Sequence, residues 1–370
     1  MKFTCDIKSL NDACNNVMRA VSTKVTIPTI EGILLECGSD TLSLTGYDFE
    51  FGINTILSAT VAEPGAIVIN AKILCDIVRK ISGQTVMFEV NGTSVLISAG
   101  AKQYNITGID ADDYPELPSV SGGYPLFINQ GILQQMVSQT LFAVADSEQS
   151  KPVHTGLKFE MTQNQLRLIG VDGYRLAIRT ETIKYDGEDV TFIVPKKTIR
   201  ELIKLMDSDG DKDISVSVGK RHIVFEVDNY SIISRLLDGD FLDYNAAVPK
   251  TSTTTVLINT GDALDCIEST IPVIENNAKN PIRVLFDADE MRVSTVSVLG
   301  RSIDYTHANV SGVRVEIGFN SKYVLDALHA ADTDQVRIEL NGPVSPVKIL
   351  PVNDDSYLFL VLPMRLKNEV

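Results

Sequence analysis

Basic side chains stand at helical spacing in the segment KKTIRELIKLM, and they are the first candidates for chemistry. Lys196, Arg200 and Lys204 are four residues apart, with Lys197 beside them, so a helix would stack them along one side. Leucine, isoleucine and methionine occupy the opposite side. A basic stripe of this kind can bind phosphate groups through charge alone. An ordinary solvated helix face would have the same pattern, and this alternative stays open for any single helix.

The same kind of face recurs in two other segments. Lys72, Arg79 and Lys80 are arranged similarly in AKILCDIVRKI, where Asp76 dilutes their charge, and Lys322 is the clearly basic residue of the third segment. The chain carries a formal net charge of −15, which argues against a protein that coats nucleic acid by bulk electrostatics. Any role on DNA therefore requires positive charge concentrated in one place.

Acidic residues and histidines do not form a recognisable catalytic or metal site. The aspartates of DSDGDKD alternate as in a calcium loop, but Lys212 stands at its glycine position and Val218 at its bidentate glutamate position. Asp110, Asp112 and Asp113 could pair for acid/base work or hold Mg²⁺, but the following Tyr-Pro favours a linker. The four histidines lack the short spacings of metal ligands. We predict no catalytic residue, no metal and no cofactor.

One strand-then-helix pattern occurs three times along the chain. It occupies residues 67–81, 190–206 and 313–331, and taking Val68, Phe192 and Val315 as equivalent gives periods of 124 and 123 residues. Solenoid repeats are about 20 to 50 residues long, whereas this period is the size of a domain. The sequence therefore predicts one fold used three times.

Each repeat is predicted to contain two β-α-β-β-β units, which gives an α+β fold with mostly antiparallel sheets. Ser9 is the predicted N-cap of the first helix, and Asn91-Gly92 is a hairpin signal. The proline-bearing acidic segment 110–125 and the threonine-rich TSTTT are predicted linkers. We place the three domains at residues 1–120, 125–249 and 252–370.

Composition predicts a cytoplasmic protein. The sequence is 44% hydrophobic and 22% charged, it has no apolar run of membrane-spanning length, and it opens without the apolar region of a signal peptide. Its five cysteines form no Cys-x-x-Cys pair, so we expect reduced, buried thiols.

Several longer motifs resemble the bacterial sliding clamp family, the β subunit of DNA polymerase III. They are MKFT at the start, TLSLTGYD-E from Thr41, EPGA from Glu63, Asp113-Tyr114-Pro115, VDGYRLA from Val171, IGFNSKYVLDAL from Ile317 and PMRL from Pro363. The resemblance implies a non-catalytic processivity factor. It also implies a head-to-tail homodimeric ring of six similar domains, with helices lining a hole for duplex DNA. The alternative is an enzyme or small-molecule binder on a triplicated α+β fold.

The resemblance, together with the basic stripe, implies three sets of site residues. The DNA-binding set is Lys24, Lys72, Arg79, Lys151, Lys196, Lys197, Arg200 and Lys204. The dimer interface set is Tyr104 and Ile106 facing Val273 and Ile274, with the reduced charge of VLGRSIDYT leaving closure to apolar contact. The partner-groove set is His154, Val171, Gly173, Tyr174, Arg175, Leu176, Leu242, Ala246, Ala247, Asn320, Val344, Pro346, Val361, Leu362, Pro363, Met364 and Arg365.

The implied partners of that groove carry short linear motifs. They are the replicative polymerase catalytic subunit, the clamp loader, other polymerases and repair proteins, and no membrane is implied. Ala246 stands where the family usually has arginine, so affinity for standard motifs is expected to be reduced or retuned.

Overall fold

The structure is a computed structural model of the chain. It describes residues 1–22, 27–120, 126–146, 150–185, 187–207, 210–274 and 281–366. Lys24, which the resemblance assigns to DNA binding, lies outside these residues.

The first repeat folds as predicted into β-α-β-β-β twice. Its elements are β1 Lys2–Asp6, α1 Ile7–Val17, β2 Gly32–Cys37, β3 Thr41–Tyr47, β4 Phe51–Glu63, β5 Gly65–Asn70, α2 Ala71–Lys80, β6 Thr85–Asn91, β7 Ser94–Ala99 and β8 Lys102–Thr107. Gly92 turns the β6–β7 hairpin at φ 56°. The N-cap prediction was wrong: the Asp6 carboxylate accepts from the Ser9 N–H at 2.7 Å, so Asp6 caps α1 and Ser9 lies in its first turn.

The second repeat has the same order. Its elements are β9 Leu126–Asn129, α3 Gln130–Ser138, β10 Gly156–Thr162, β11 Gln165–Val171, β12 Arg175–Thr182, β13 Val190–Pro195, α4 Lys196–Leu205, β14 Asp213–Val218, β15 His222–Val227 and β16 Tyr230–Arg235. A short helix, α5 Tyr244–Ala247, follows in the connection to the third repeat.

The third repeat adds one strand to the pattern. Its elements are β17 Thr254–Asn259, α6 Thr260–Glu268, β18 Ile282–Asp287, β19 Glu290–Ser297, β20 Gly300–His307, β21 Asn309–Gly312, β22 Val315–Phe319, α7 Ser321–Ala330, β23 Gln335–Leu340, β24 Val347–Pro351 and β25 Tyr357–Val361. The extra strand is β21, which pairs with β17.

The helices fix the register of the repeat. Helices α2, α4 and α7 begin at Ala71, Lys196 and Ser321, which are 125 residues apart in each case. The periods of 124 and 123 were therefore wrong by one or two residues, because the β-branched runs that suggested them allow several alignments. In the corrected register Lys72, Lys197 and Lys322 are equivalent, each being the second residue of its helix.

The chain divides into two compact units that interleave the repeats. The first consists of Met1–Gly131 and Lys197–Leu236, and the second of Ile132–Lys196 and Leu237–Val370. In the first unit β4 pairs with β16, and in the second β12 pairs with β25, so both pairings join strands of successive repeats. The segment boundaries drawn from the sequence at 1–120, 125–249 and 252–370 stay a prediction.

The strands of the described residues pair antiparallel, as predicted. The first unit contains a 12-stranded sheet, and the second contains a nine-stranded and a four-stranded sheet. Helices α6 and α7 bury Ala263, Ile267, Ala327 and Leu328 in the main core of the second unit. The five cysteines are free and buried. None of the helices in the described residues is long and apolar enough to cross a membrane.

Candidate functional site

The basic face of α4 is solvent-exposed over most of its length. Lys197 and Lys204 have side chains 53% and 54% exposed, and Arg200 is exposed between them. Ile199 and Leu202 on the opposite side are fully buried. The amphipathic stripe predicted from the sequence is therefore present for these three residues.

Lys196 does not belong to this exposed stripe, and the prediction that it faces solvent was wrong. It is 8% exposed, and its ammonium group donates to the Val144 carbonyl and to Asp146 Oδ1, each at 2.7 Å. A spacing of four residues advances about 40° around a helix, so three such positions spread over about 80°. The first of them falls on the buried side, where its charge requires these two acceptors.

Lys197 is held in place by a turn of the first repeat. Its Nζ donates to Asp48 Oδ2 at 2.7 Å and lies 5.1 Å from the centre of the Phe51 ring. Asp48 is itself fixed, because its Oδ1 accepts from the N–H groups of Glu50 and Phe51 at 3.1 and 2.7 Å. The ammonium group is thus oriented while half of its side chain remains open to solvent.

The other basic candidates are also exposed. Lys72 and Arg79 lie on the exposed side of α2, where Arg79 is 3.5 Å from Asp76. Lys151 is exposed in the second unit. Lys322 of α7 is exposed too, although the DNA-binding set did not include it.

The β11–β12 turn organises the candidate groove. Asp172 Oδ1 accepts from the N–H groups of Tyr174 and Arg175 at 2.9 and 3.0 Å, and Gly173 has φ 90°. A left-handed conformation of this kind is accessible to glycine at little cost. The turn exposes Tyr174, whose ring stacks on Tyr323 of α7 with centroids 5.8 Å apart.

Arg175 lies beneath this surface rather than on it. It is 8% exposed, its Nε is 2.9 Å from Asp172 Oδ2, and Nη1 donates to Asp326 of α7. Its guanidinium carbon lies 4.7 Å from the centre of the Tyr323 ring. Arg175 therefore ties α7 to the β11–β12 turn, and its predicted contact with a partner stays a prediction.

The segment that follows β25 is joined to both the β11–β12 turn and β22. The Leu362 N–H donates to the Tyr174 carbonyl at 2.9 Å, and the Met364 N–H donates to the Gly318 carbonyl at 2.8 Å. A Cβ at Gly318 would lie 2.5 Å from the Met364 carbonyl oxygen, so the close approach requires glycine. Leu362, Pro363 and Met364 remain partly accessible and Arg365 is exposed.

Three further predicted groove residues are almost entirely buried. Val171 and Leu176 belong to a small core with Tyr244 and Leu360, and Val361 belongs to the main core. They are buried in this structure, and their predicted contact with a partner stays a prediction.

The rest of the predicted groove set is accessible to different degrees. Tyr174, Leu242 and Val344 are exposed by 60%, 40% and 74%. Gly173 and Ala246 are also exposed, whereas His154, Ala247, Asn320 and Pro346 are half-buried. The Asn320 side chain caps α7 by accepting from the Lys322 N–H at 3.0 Å.

His154 packs against the connection between the second and third repeats. Its ring meets Phe241 edge-on, with centroids 5.5 Å apart. Burial lowers the pKa of His154, nearby Lys151 lowers it further, and Asp172 opposes them. The imidazole is therefore neutral near pH 7.

Of the predicted interface residues, two lie on a sheet edge and two lie in a turn beside the β19–β20 hairpin. Strand β8 is the edge of the 12-stranded sheet and holds Tyr104 and Ile106, both half-buried. Strand β20 is the edge of the four-stranded sheet and exposes Ile303 and Tyr305. Val273 and Ile274 are half-buried, and the Val273 carbonyl accepts from the Ser297 hydroxyl at 2.6 Å in the β19–β20 hairpin.

Several residues of these surfaces were absent from the predicted sets. Ile303 and Tyr305 alternate in RSIDYT as apolar residues of one strand face, which is a readable signal. Tyr323 shows no signal from spacing alone, because its role depends on a stacking partner from a turn about 150 residues earlier. Within the described part of the chain, no group of three or more His, Cys, Asp or Glu residues could hold a metal ion.

Family models for the DNA polymerase III β subunit match nearly the whole chain. The model of the N-terminal domain matches residues 1–118, that of the central domain 127–243, and that of the C-terminal domain 245–365.

Full-length relatives and solved structures agree with these matches. The chain is 32% identical to the β sliding clamp of Staphylococcus epidermidis, with 99% of each covered, and 30% identical to that of Bacillus subtilis, covering 99% of this chain and 100% of the relative. The crystal structure of the Bacillus subtilis sliding clamp superposes with a TM-score of 0.95 at 30% identity, covering 99% and 100%. That of the Pseudomonas aeruginosa DNA polymerase III β subunit gives 0.94 at 26% identity with the same coverage.

Proposed function

This chain belongs to the family of bacterial β sliding clamps, the β subunits of DNA polymerase III, and we propose that it closes head to tail with a second copy around duplex DNA. The family assigns it a non-catalytic role as a processivity factor in DNA replication. The alternative of a triplicated α+β enzyme is therefore set aside. We propose the mode of ring closure, the residues that contact DNA and the surface that binds partners.

Ring closure is supported by β8 and β20, each of which pairs with another strand on one side only among the described residues. An exposed edge strand offers a row of free N–H and C=O groups and pairs readily with another strand. We propose that β8 of one protomer pairs with β20 of the other, with Ile106 and Tyr104 packing near Ile303, Tyr305 and the Val273–Ile274 turn. Because one chain carries both edges, two copies close a ring with two equal interfaces. Light scattering should give twice the chain mass of 40.5 kDa, and a monomer at micromolar concentration or a trimer would contradict this arrangement.

A role on DNA is supported mainly by three lysines at equivalent positions of the repeat, Lys72, Lys197 and Lys322. Each is the second residue of the second helix in its repeat, and each is exposed. Recurrence at one position of the repeat in a chain of net charge −15 favours a common role for the three lysines over three unrelated solvated faces. Contacts from lysine to phosphate carry no sequence information, so they permit movement along DNA. The closed ring retains the DNA, and the weak contacts let it slide.

Partner binding is proposed for the surface around the β11–β12 turn. Tyr174 and Leu242 supply exposed apolar area, and Met364 supplies a flexible thioether that can repack around different ligands. We propose that this surface, called the partner groove below, receives short apolar motifs from the replicative polymerase catalytic subunit, the clamp loader, and other polymerases or repair proteins.

The groove can be tested through its accessible residues. Tyr174→Ala and Met364→Ala should each weaken binding of a labelled peptide from the polymerase catalytic subunit, measured by fluorescence anisotropy. Val313→Ala is a suitable control, because Val313 is also exposed and lies in the same unit outside the predicted set. Unchanged affinity in both groove variants would place the partner site elsewhere.

A further inference from the structure

We propose that Tyr244 is a positioning residue for the partner groove, because its hydroxyl group fixes the segment 238–248 to Glu160 and Arg167 on the β10–β11 hairpin. This segment contributes Leu242, Ala246 and Ala247 to the groove. The inference rests on the proposed groove and adds a residue that the predicted groove set lacked.

The segment is a largely exposed connection. At its start the Leu237 N–H donates to the Ile193 carbonyl at 2.9 Å. At its end the Val248 N–H donates to the Tyr244 carbonyl at 3.2 Å, which closes the single turn of α5. Leu242 and Ala246 are exposed on either side of Tyr244, which is only 5% exposed. Tyr244 is therefore the inward anchor between two outward groove residues.

The hydroxyl group of Tyr244 is satisfied both as donor and as acceptor. It donates to Glu160 Oε2 at 2.6 Å and accepts from Arg167 Nη1 at 3.1 Å. Lys158 approaches Glu160 Oε1 at 2.7 Å, and its ammonium group lies 5.2 Å from the centre of the Phe241 ring. Two strands and the segment are thus joined by one polar cluster, consisting of Lys158, Glu160, Arg167 and Tyr244.

The cluster is partly buried, so a polar group that loses a hydrogen bond there is not fully compensated by water. Burial raises the pKa of Glu160, but hydrogen bonds from Lys158 and Tyr244, with the charges of Lys158 and Arg167, outweigh burial, and the net shift is downward. The carboxylate is therefore ionised at neutral pH and is a strong acceptor for the hydroxyl group. Removing that hydroxyl deprives Glu160 Oε2 of this donor and Arg167 Nη1 of this acceptor.

The ring of Tyr244 packs against buried residues that lie next to the exposed residues of the partner groove. It packs in the small core that contains Val171, Leu176 and Leu360, and Phe241 packs against the same cluster. Val171 and Leu176 flank the β11–β12 turn that exposes Tyr174. A displacement of the ring would therefore shift both the segment 238–248 and the β11–β12 turn.

Tyr244→Phe tests the inference because it removes only the hydroxyl group. We expect affinity for a labelled peptide from the polymerase catalytic subunit to fall roughly 3- to 10-fold, mainly through faster dissociation. Amide hydrogen exchange over residues 240–248 should accelerate, whereas exchange in β17 and β23 should not change.

Tyr357→Phe is the matched control, because Tyr357 is a buried tyrosine of the same unit whose hydroxyl group lies 2.8 Å from Thr333 Oγ1. It should lower the unfolding temperature comparably and leave peptide affinity unchanged. Tyr174→Ala reports on the groove itself. If Tyr174→Ala weakens the peptide but Tyr244→Phe binds as tightly as the parent protein with unchanged exchange, the positioning role is refuted while the groove stands. If the parent protein does not bind the peptide, the groove and the inference both fail.

Glu160→Gln provides a second variant should Tyr244→Phe fail to fold. The amide keeps an oxygen acceptor for the hydroxyl group but loses the charge that strengthens the bond. We expect a smaller loss of peptide affinity than for Tyr244→Phe and intermediate exchange rates over residues 240–248. Unchanged affinity and exchange in this variant would overturn the proposal.

Discussion

At the scale of single residues, position around a helix decides whether a lysine is buried or open to solvent. Lys196 and Lys197 are neighbours in sequence, yet the first is buried against Val144 and Asp146 and the second is half exposed. The spacing in the sequence identified the stripe but could not say which edge of it turns inward. That depends on partners about 50 residues away, which a local pattern does not contain.

The triple substitution Lys197→Ala, Arg200→Ala and Lys204→Ala should weaken association with DNA and flatten its dependence on salt. Each phosphate that the variant no longer neutralises lowers the slope of log affinity against log salt by about 0.9. Thermal stability should change little, because the three side chains lie at the surface. Salt titrations of DNA binding would measure the slope. An unchanged slope would show that these three side chains form an ordinary solvated helix face that does not bind phosphate.

Lys196→Ala is expected to behave in the opposite way. It leaves the Val144 carbonyl without its donor, so we expect a loss of stability of about 1–3 kcal/mol with little effect on the salt slope. Urea unfolding of this variant beside the triple variant would separate the two roles. A reduced salt slope with normal stability would show that Lys196 reaches DNA after all.

His154 makes the neighbourhood of Phe241 sensitive to mild acid. Burial, followed by Lys151, lowers its pKa below the usual value near 6.5, so the unfolded chain takes up the proton first. Its contribution to stability is therefore present above pH 6.5 and is lost as pH falls from there through the lower folded pKa. Unfolding midpoints at pH 7.5 and 5.0, compared between the parent protein and His154→Gln, should show a smaller loss in the variant. An equal loss in both would exclude His154 as the source.

At the scale of elements, the sequence predicted the order of strands and helices in each repeat better than the exact alignment of one repeat with the next. The order β-α-β-β-β and the hairpin at Asn91-Gly92 follow from periodicity and turn chemistry. The 125-residue spacing of the helices could not be predicted, because β-branched runs can be aligned in more than one way. The cap by Asp6 could not be predicted either, because several neighbouring polar residues could each serve as the cap. The Asp48 and Asp172 turns show that the repeat extends to individual hydrogen bonds, since each carboxylate accepts from the N–H groups two and three residues later.

Gly318→Ala tests the junction between β22 and the final segment. The added Cβ would lie 2.5 Å from the Met364 carbonyl oxygen, so the segment must shift away from β22. We expect a loss of about 1–3 kcal/mol in urea unfolding, together with weaker peptide binding at the groove. Gly38→Ala is the control, because its nearest neighbour would be Thr41 Oγ1 at 3.9 Å. If both variants unfold alike, the close approach at Gly318 is not a constraint.

At the scale of the whole molecule, the proposed assembly uses edge strands that can be recognised only weakly from the sequence. The strand β20 was readable from the alternation in RSIDYT, but that it is an edge follows only from the sheet order. Interleaving of the repeats in two compact units was not foreseen, because the β4–β16 and β12–β25 pairings join distant segments.

Ile303→Asp with Tyr305→Asp should convert the proposed dimer to a monomer. Each substitution places a charge on an apolar edge that would otherwise be buried against β8, and both side chains are exposed in the single chain. Sedimentation should give the mass of one chain, with circular dichroism unchanged. A variant that still sediments as a dimer would move the interface away from β20.

If the protein encircles DNA, it should be retained on topologically closed DNA and lost from linear DNA. The protein would be loaded onto nicked circular DNA, separated from free protein by gel filtration at a salt concentration that disrupts simple charge contacts, and then treated with a restriction enzyme. We predict that the protein stays with the circle and is released once the DNA is linear, because a closed ring has no way off a circle but slides off an end. Release from both forms, or retention on both, would contradict the ring.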